Sequence, residues 1–130
     1  MQKSYFSDKA DHIFFASESV GEGHPDKLCD QISDGILDAC LRVNPNAMVA
    51  METATKSNLI CLLGETSVTK DQVNFEQIAR EVTLGVGFNS EASGIDGNSC
   101  DVIQRIEAQS AEIAGAVHEA KAEEDLGAGD

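Results

Sequence analysis

The chain has no tryptophan, one tyrosine and five phenylalanines in 130 residues, so any core it builds must be largely aliphatic. Prolines are as scarce: Pro25 and Pro45 are the only two, which leaves long stretches free of a residue that interrupts helices and strands. Basic residues number 9 against 23 acidic ones, for a formal net charge of −14. That deficit excludes a nucleic-acid surface and an anionic-membrane surface, since both need a basic footprint. A phosphate-bearing partner would need help from a divalent metal, and surplus carboxylates suit Mg²⁺ or Ca²⁺ better than soft metals. No run reaches the roughly 18 apolar residues of a membrane span. Residues 1–9 are polar and lack the apolar stretch of a secretion signal, so a cytoplasmic location is expected. Cys29, Cys40, Cys61 and Cys100 show no C-x-x-C or Cys/His spacing of the zinc type and read as small buried thiols.

With 42% hydrophobic residues, a chain of this length can still bury a core. Residues 12–16, with Phe14 and Phe15, read as a short strand. From Leu28 the apolar positions Ile32, Ile36, Leu37, Cys40 and Leu41 recur at helical spacing. Pro25 suits the first turn, where its missing N–H costs nothing, so a helix is expected from about Pro25 to just before Asn44. Residues 47–55 and 59–69 read as a hairpin joined by Lys56-Ser57-Asn58, with Asn58 expected to take the left-handed backbone. Asn74 is placed to cap a second helix carrying Phe75, Ile78, Ala79, Val82 and Val86, with Gly87 as its stop. Residues 89–98 read as a loop and 99–107 as a third strand with Cys100, Val102, Ile103 and Ile106 on its apolar side. Residues 110–124 thin out to Ala, Glu, Gly and Lys and read as a mobile loop. The pattern is α+β, mixing helices with antiparallel strands, and shows neither an internal repeat nor a second domain.

Residues 17–27 concentrate the chemistry. Gly21 and Gly23 allow close backbone approach, while His24, Asp26 and Lys27 offer a donor, a metal ligand and a cation within four positions. A helix starting at Pro25 adds the partial positive charge that favours a bound anion. On spacing alone the segment fits a polyphosphate with Mg²⁺, or equally a glycine-rich turn with a capping histidine and solvated acids.

The run Phe15-Ala16-Ser17-Glu18-Ser19-Val20-Gly21-Glu22-Gly23-His24-Pro25-Asp26-Lys27, with Asp30-Gln31-Ile32-Ser33-Asp34 after it, resembles the opening signature of methionine adenosyltransferases, the S-adenosylmethionine synthetases. Met51-Glu52-Thr53, Leu63-Gly64-Glu65-Thr66, Gln109-Ser110 and Glu123-Glu124-Asp125-Leu126-Gly127-Ala128-Gly129-Asp130 resemble later blocks of that family, in the same order. The resemblance implies the amino-terminal portion of an enzyme built as three similar interleaved α+β domains with pseudo-symmetry. That enzyme would join ATP and L-methionine to S-adenosylmethionine, releasing tripolyphosphate that is cleaved to pyrophosphate and phosphate. It further implies Mg²⁺ and K⁺ as cofactors and a homodimer or homotetramer with sites shared between subunits. By resemblance His24 contacts the ATP phosphates at the displaced bond, Asp26 binds Mg²⁺ with Glu18 as a second candidate, and Glu52 belongs to the potassium site. Glu65 and Gln109 correspond to methionine-binding positions, and Asp130 to an ATP-contacting aspartate.

Glu52 and Glu65 lie in strands that otherwise read as core-forming, where a carboxylate is costly unless paired. Asp30, Asp34 and Asp38 are spaced like a solvated stripe, and His12 and His118 read as surface residues. The chain departs from the family where Ala111-Glu112-Ile113 replaces Pro-Asp-Ile and where Gly115-Ala116 replaces Gln-Gly, both within the stretch that matches a flexible active-site loop, residues 110–124. The family's triphosphate-binding lysines and arginines fall beyond Asp130, so the 130-residue piece alone is expected to be inactive. Two other classes remain: a nucleotide-binding module without chemistry, and a noncatalytic subunit that dimerises through the hairpin.

Overall fold

The computed structural model describes residues 15–109. Helix α1 spans Pro25–Val43, strands β1 and β2 span Val49–Lys56 and Leu59–Thr66, and helix α2 spans Phe75–Gly85. Two short strands, β3 (Asn89–Ser90) and β4 (Ile95–Asp96), flank a 3₁₀ turn at Glu91–Ser93, and β5 (Asp101–Ala108) closes the described chain. The main sheet runs β1-β2-β5, while β3 and β4 form a separate two-stranded piece. The β1–β2 and β3–β4 pairs are antiparallel and β2–β5 is parallel. The architecture is α+β, with α2 and the small β3–β4 ribbon carrying the chain from β2 back to a parallel neighbour, as a parallel pair requires.

Helix α1 presents Leu28, Ile32, Ile36 and Cys40 to the core, one residue every turn or so, each at most 2% exposed. Ile60, Leu62, Phe75 and Ala79 meet them, with Met51, Val102 and Ile106 packed around the edge. A Ser33–Thr53 hydrogen bond of 2.8 Å fastens α1 to β1. Both helices lie on one face of the sheet, and the strands alternate accordingly: in β1 the half-buried residues are Val49, Met51, Thr53 and Thr55, and the exposed ones Ala50, Glu52, Ala54 and Lys56. Asn74 caps α2 as expected, its side-chain oxygen accepting from the Gln77 N–H at 3.1 Å. Gly87, at φ 105°, follows the helix end.

Several expectations change, among them the loop expected over residues 89–98, which holds the paired short strands β3 and β4 around a 3₁₀ turn. Phe15 and Ala16, the described part of the strand expected at 12–16, carry no regular structure, and Phe15 is 84% exposed. The hairpin turn has two residues, not three, and Ser57 rather than Asn58 takes the positive φ, 54°. Asn58 is otherwise engaged: its side-chain oxygen accepts from Asp96 N–H at 2.9 Å, and its carbonyl accepts from Asp101 N–H at 2.9 Å. β2 ends at Thr66 instead of Thr69, because the Thr66 hydroxyl accepts the Val68 N–H and turns the chain. In β5, Ile103 faces away from Val102 and Ile106 and is 45% exposed, because side chains alternate across a strand. Cys40 and Cys100 are buried, whereas Cys29 and Cys61 are only partly so, and all four are free thiols.

Candidate active site

His24 is the N-cap of α1. Its backbone is extended, and its Nδ1 accepts the Asp26 N–H at 3.2 Å. An imidazole nitrogen that accepts carries no proton, so neutral His24 holds its N–H on Nε2, where it can donate. The segment before it is tied down: His24 N–H donates to Gly21 O at 3.0 Å, and Gln31 Nε2 donates to Glu22 O at 3.0 Å and Lys27 O at 3.1 Å. Phe88 presses on Gly23, where an added Cβ would stand 3.2 Å from the ring Cζ.

The helix terminus offers fewer backbone donors than the sequence suggested. Pro25 has no N–H, Asp26 N–H is taken by His24 Nδ1, and Leu28 N–H bonds His24 O at 2.8 Å. What remains for an anion is the helix dipole and the His24 Nε2–H; the first-turn carboxylate of Asp26, exposed and without a hydrogen bond or ion pair among the described residues, repels an anion unless a cation stands between them. Lys27 leans instead on Asp30 at 3.2 Å, an exposed i,i+3 pair. Glu18 is exposed in a stretch without regular structure.

Glu52 and Glu65 lie on the face of the sheet that no helix covers among the described residues, its open face. In register, Ala50 pairs with Glu65, Met51 with Gly64 and Glu52 with Leu63, which sets the two glutamates on a diagonal of roughly 7–8 Å. The burial penalty expected for these carboxylates does not arise for Glu52, which is exposed, and Glu65 is half-buried. Glu107 of β5 stands beside Glu65 in the parallel register. Gln109 follows β5 directly. Its N–H donates to Thr66 O at 3.3 Å, and it lines a cavity of about 430 Å³ with Thr66, Phe75 and Ile106. Glu65 and Gln109 therefore share the carboxyl ends of β2 and β5.

These residues fall into two groups. His24 and Asp26 sit at the start of α1, beside a cavity of about 380 Å³ whose wall includes Gly23, Pro25, Thr55 and Lys56, the far end of β1. Glu65 and Gln109 lie at the opposite end of the sheet, roughly 20 Å along the strands at 3.3 Å per residue, and Glu65 is on the opposite face from α1. No three His, Cys, Asp or Glu residues gather into a metal cluster among the described residues. Glu18, Asp26 and Glu52 thus do not form one metal cage. A lone exposed Asp26 suits an Mg²⁺ that keeps several waters and leans on phosphate oxygens. Asp130 lies outside the described residues, as does the segment 110–124.

A model of the S-adenosylmethionine synthetase N-terminal domain matches residues 12–111. The chain belongs to the S-adenosylmethionine synthetase family. Membership places this synthetase chain with transferases of S-adenosylmethionine biosynthesis, and the matched span contains every site residue proposed from the sequence except Asp130. No helix among the described residues is long and apolar enough to cross a membrane.

Sequence reasoning passed over two features of the synthetase domain. Gly64 was read only as part of a matching block, although a glycine inside a strand signals a bulge or a close backbone approach. Asn58 was read as a turn residue, and no local signal marks its bonds to residues 96 and 101. Burial pushes the Cys29, Cys40 and Cys100 thiols up, with the Asp26 and Asp30 charges adding at Cys29, which keeps these thiols protonated and poorly nucleophilic.

Proposed function

We propose that the chain supplies the amino-terminal part of a methionine adenosyltransferase, carrying half of each site, in an enzyme of three interleaved domains. The family match over residues 12–111 carries this reading; the Nε2–H of His24, without a partner among the described residues at a helix N-terminus, supports it. In the reaction the methionine sulfur attacks C5′ of ATP, a C–S bond forms as the C5′–O bond breaks, and tripolyphosphate leaves. Water then cleaves it to pyrophosphate and phosphate. A thioether is a weak nucleophile, so orientation of the reactants matters more than proton transfer. Glu65 and Gln109 would hold the methionine ammonium and carboxylate. His24 would donate from Nε2 to the leaving oxygen, where negative charge develops. No proton leaves sulfur, so His24 need not act as a base. Asp26, with Glu18 as a second candidate, would hold Mg²⁺, Glu52 would hold K⁺, and Asp130 would contact ATP. Bound Mg²⁺ would offset charge on the phosphate oxygens.

The separation of the two residue groups supports a shared site. One chain cannot bring His24 to Glu65, because they occupy opposite ends and faces of the sheet; two copies packed through the open face would place the end of one near the other. Leu63 and Ile103, 42% and 45% exposed on that face, supply apolar surface for such a homodimer.

The test is product formation. The enzyme read from the complete reading frame, given ATP, L-methionine, Mg²⁺ and K⁺, is expected to form S-adenosylmethionine, detected by mass spectrometry, and a His24→Ala variant to lose at least a hundredfold in kcat. The 130-residue chain alone is expected to form none. Absence of product from the complete enzyme, with ATP still bound, would instead support a nucleotide-binding module.

A further inference from the structure

At Gly64, on the rung between those of the two strand glutamates, the β1 backbone occupies the space a side chain would need. Gly64 sits at φ 146°, a backbone conformation that side-chain-bearing L-residues rarely adopt. A Cβ there would overlap the Ala50 carbonyl oxygen and stand 3.1 Å from its carbon and 3.2 Å from Met51 Cα. These neighbours are backbone atoms, so no side-chain rotation relieves the overlap; the strands would have to separate or shift. The register makes the consequence local. Ala50 is the partner of Glu65, Met51 is the partner of Gly64, and Glu52 is the partner of Leu63, so the contact lies between the rungs that carry the two carboxylates.

We infer that Gly64 is a positioning residue: its missing side chain lets β1 close against β2 and thereby fixes the placement of Glu65, and of Glu52 diagonal to it, on the open face. The inference rests on the reading that Glu65 holds the methionine ammonium. It adds that the spacing of this carboxylate is set by a backbone contact on the neighbouring rung, not by the Glu65 side chain alone.

The experiment compares Gly64→Ala with Gly97→Ala in the enzyme from the complete reading frame. Gly97 is the matched structural control: a Cβ there would meet Leu84 Cγ at 2.7 Å and Arg80 O at 3.0 Å, in the packing of α2 and away from the open face. Both substitutions are expected to lower the melting temperature. Gly64→Ala alone is expected to raise the methionine KM at least tenfold while the ATP KM stays within twofold, whereas Gly97→Ala leaves both KM values unchanged. Equal effects of the two substitutions on methionine KM, or an unchanged methionine KM in Gly64→Ala, would overturn the inference. If Gly64→Ala yields no soluble enzyme, Glu65→Asp decides, since it retracts the carboxylate by one methylene without touching the glycine. A tenfold rise in methionine KM there sustains the demand for exact placement, and no rise overturns it. Glu65→Gln separates this inference from the reading beneath it. If that variant keeps the native methionine KM, the assignment of Glu65 fails; if it loses methionine while Gly64→Ala does not, only the role of Gly64 fails.

Discussion

Ser33 and Thr53 meet through their hydroxyls at 2.8 Å, a polar contact that joins α1 to β1 beside the apolar core. Both residues are partly buried, so a hydroxyl left alone there loses its partner without full access to water. The pair also holds β1 in line next to Glu52.

Replacing either hydroxyl should therefore cost more than its local volume suggests. Ser33→Ala and Thr53→Val are each expected to destabilise the chain by about 1 kcal/mol. The double variant should cost less than their sum, because each single change already breaks the shared bond. Urea unfolding of the four proteins measures this coupling; strict additivity would show that the bond contributes nothing.

Asp96 organises the turn into β5. Its carboxylate accepts from the Asn98 backbone N–H at 2.9 Å, the Asn98 side chain at 2.9 Å and Ser99 Oγ at 3.1 Å. The Asn98 backbone bond is the largest influence, and together these bonds hold the carboxyl below its ordinary value of 3.8. A carboxyl lowered by folding adds stability above its unfolded pKa, and that contribution disappears as pH falls through the folded value. Asp96→Ala should thus lower the melting temperature at pH 7, with the gap from wild type narrowing steadily below pH 3.8. A gap that stays constant or widens on acidification would contradict this account.

Leu63 and Ile103 test the open face. Leu63→Lys and Ile103→Lys are expected to shift the complete enzyme toward monomer in sedimentation velocity across a concentration series. Both side chains are already exposed in the single chain, so unfolding free energy of the monomer should change by no more than about 0.5 kcal/mol. A distribution of species identical to wild type would place any self-association elsewhere.

Much of the fold was legible locally. Pro25 and the spacing of Leu28, Ile32, Ile36 and Cys40 marked α1, and Asn74 marked the start of α2, because caps and helical periodicity act within a few residues. The α+β class and the family were legible too, the latter from the long run at 15–27. Ile103 was misplaced because three apolar residues in a short strand hide its period of two. Asn58 was misread because its partners lie about forty positions away in sequence.

For the site, sequence could nominate residues but not arrange them. It nominated His24 as a donor and Asp26 as a metal ligand, both at the start of a helix that its periodicity marks. It could not see that His24 would consume the Asp26 N–H with Nδ1, leaving Nε2 as the donor. The faces of Glu52 and Glu65, the close approach at Gly64 and the parallel pairing of β2 with β5 depend on register between distant segments. Sequence alone determined the helices, the hairpin and the family, since each rests on short-range chemistry. Only the tertiary structure decided that the two groups of candidate residues stand at opposite ends of one sheet, because strand order and register are set by which apolar faces find each other across the core.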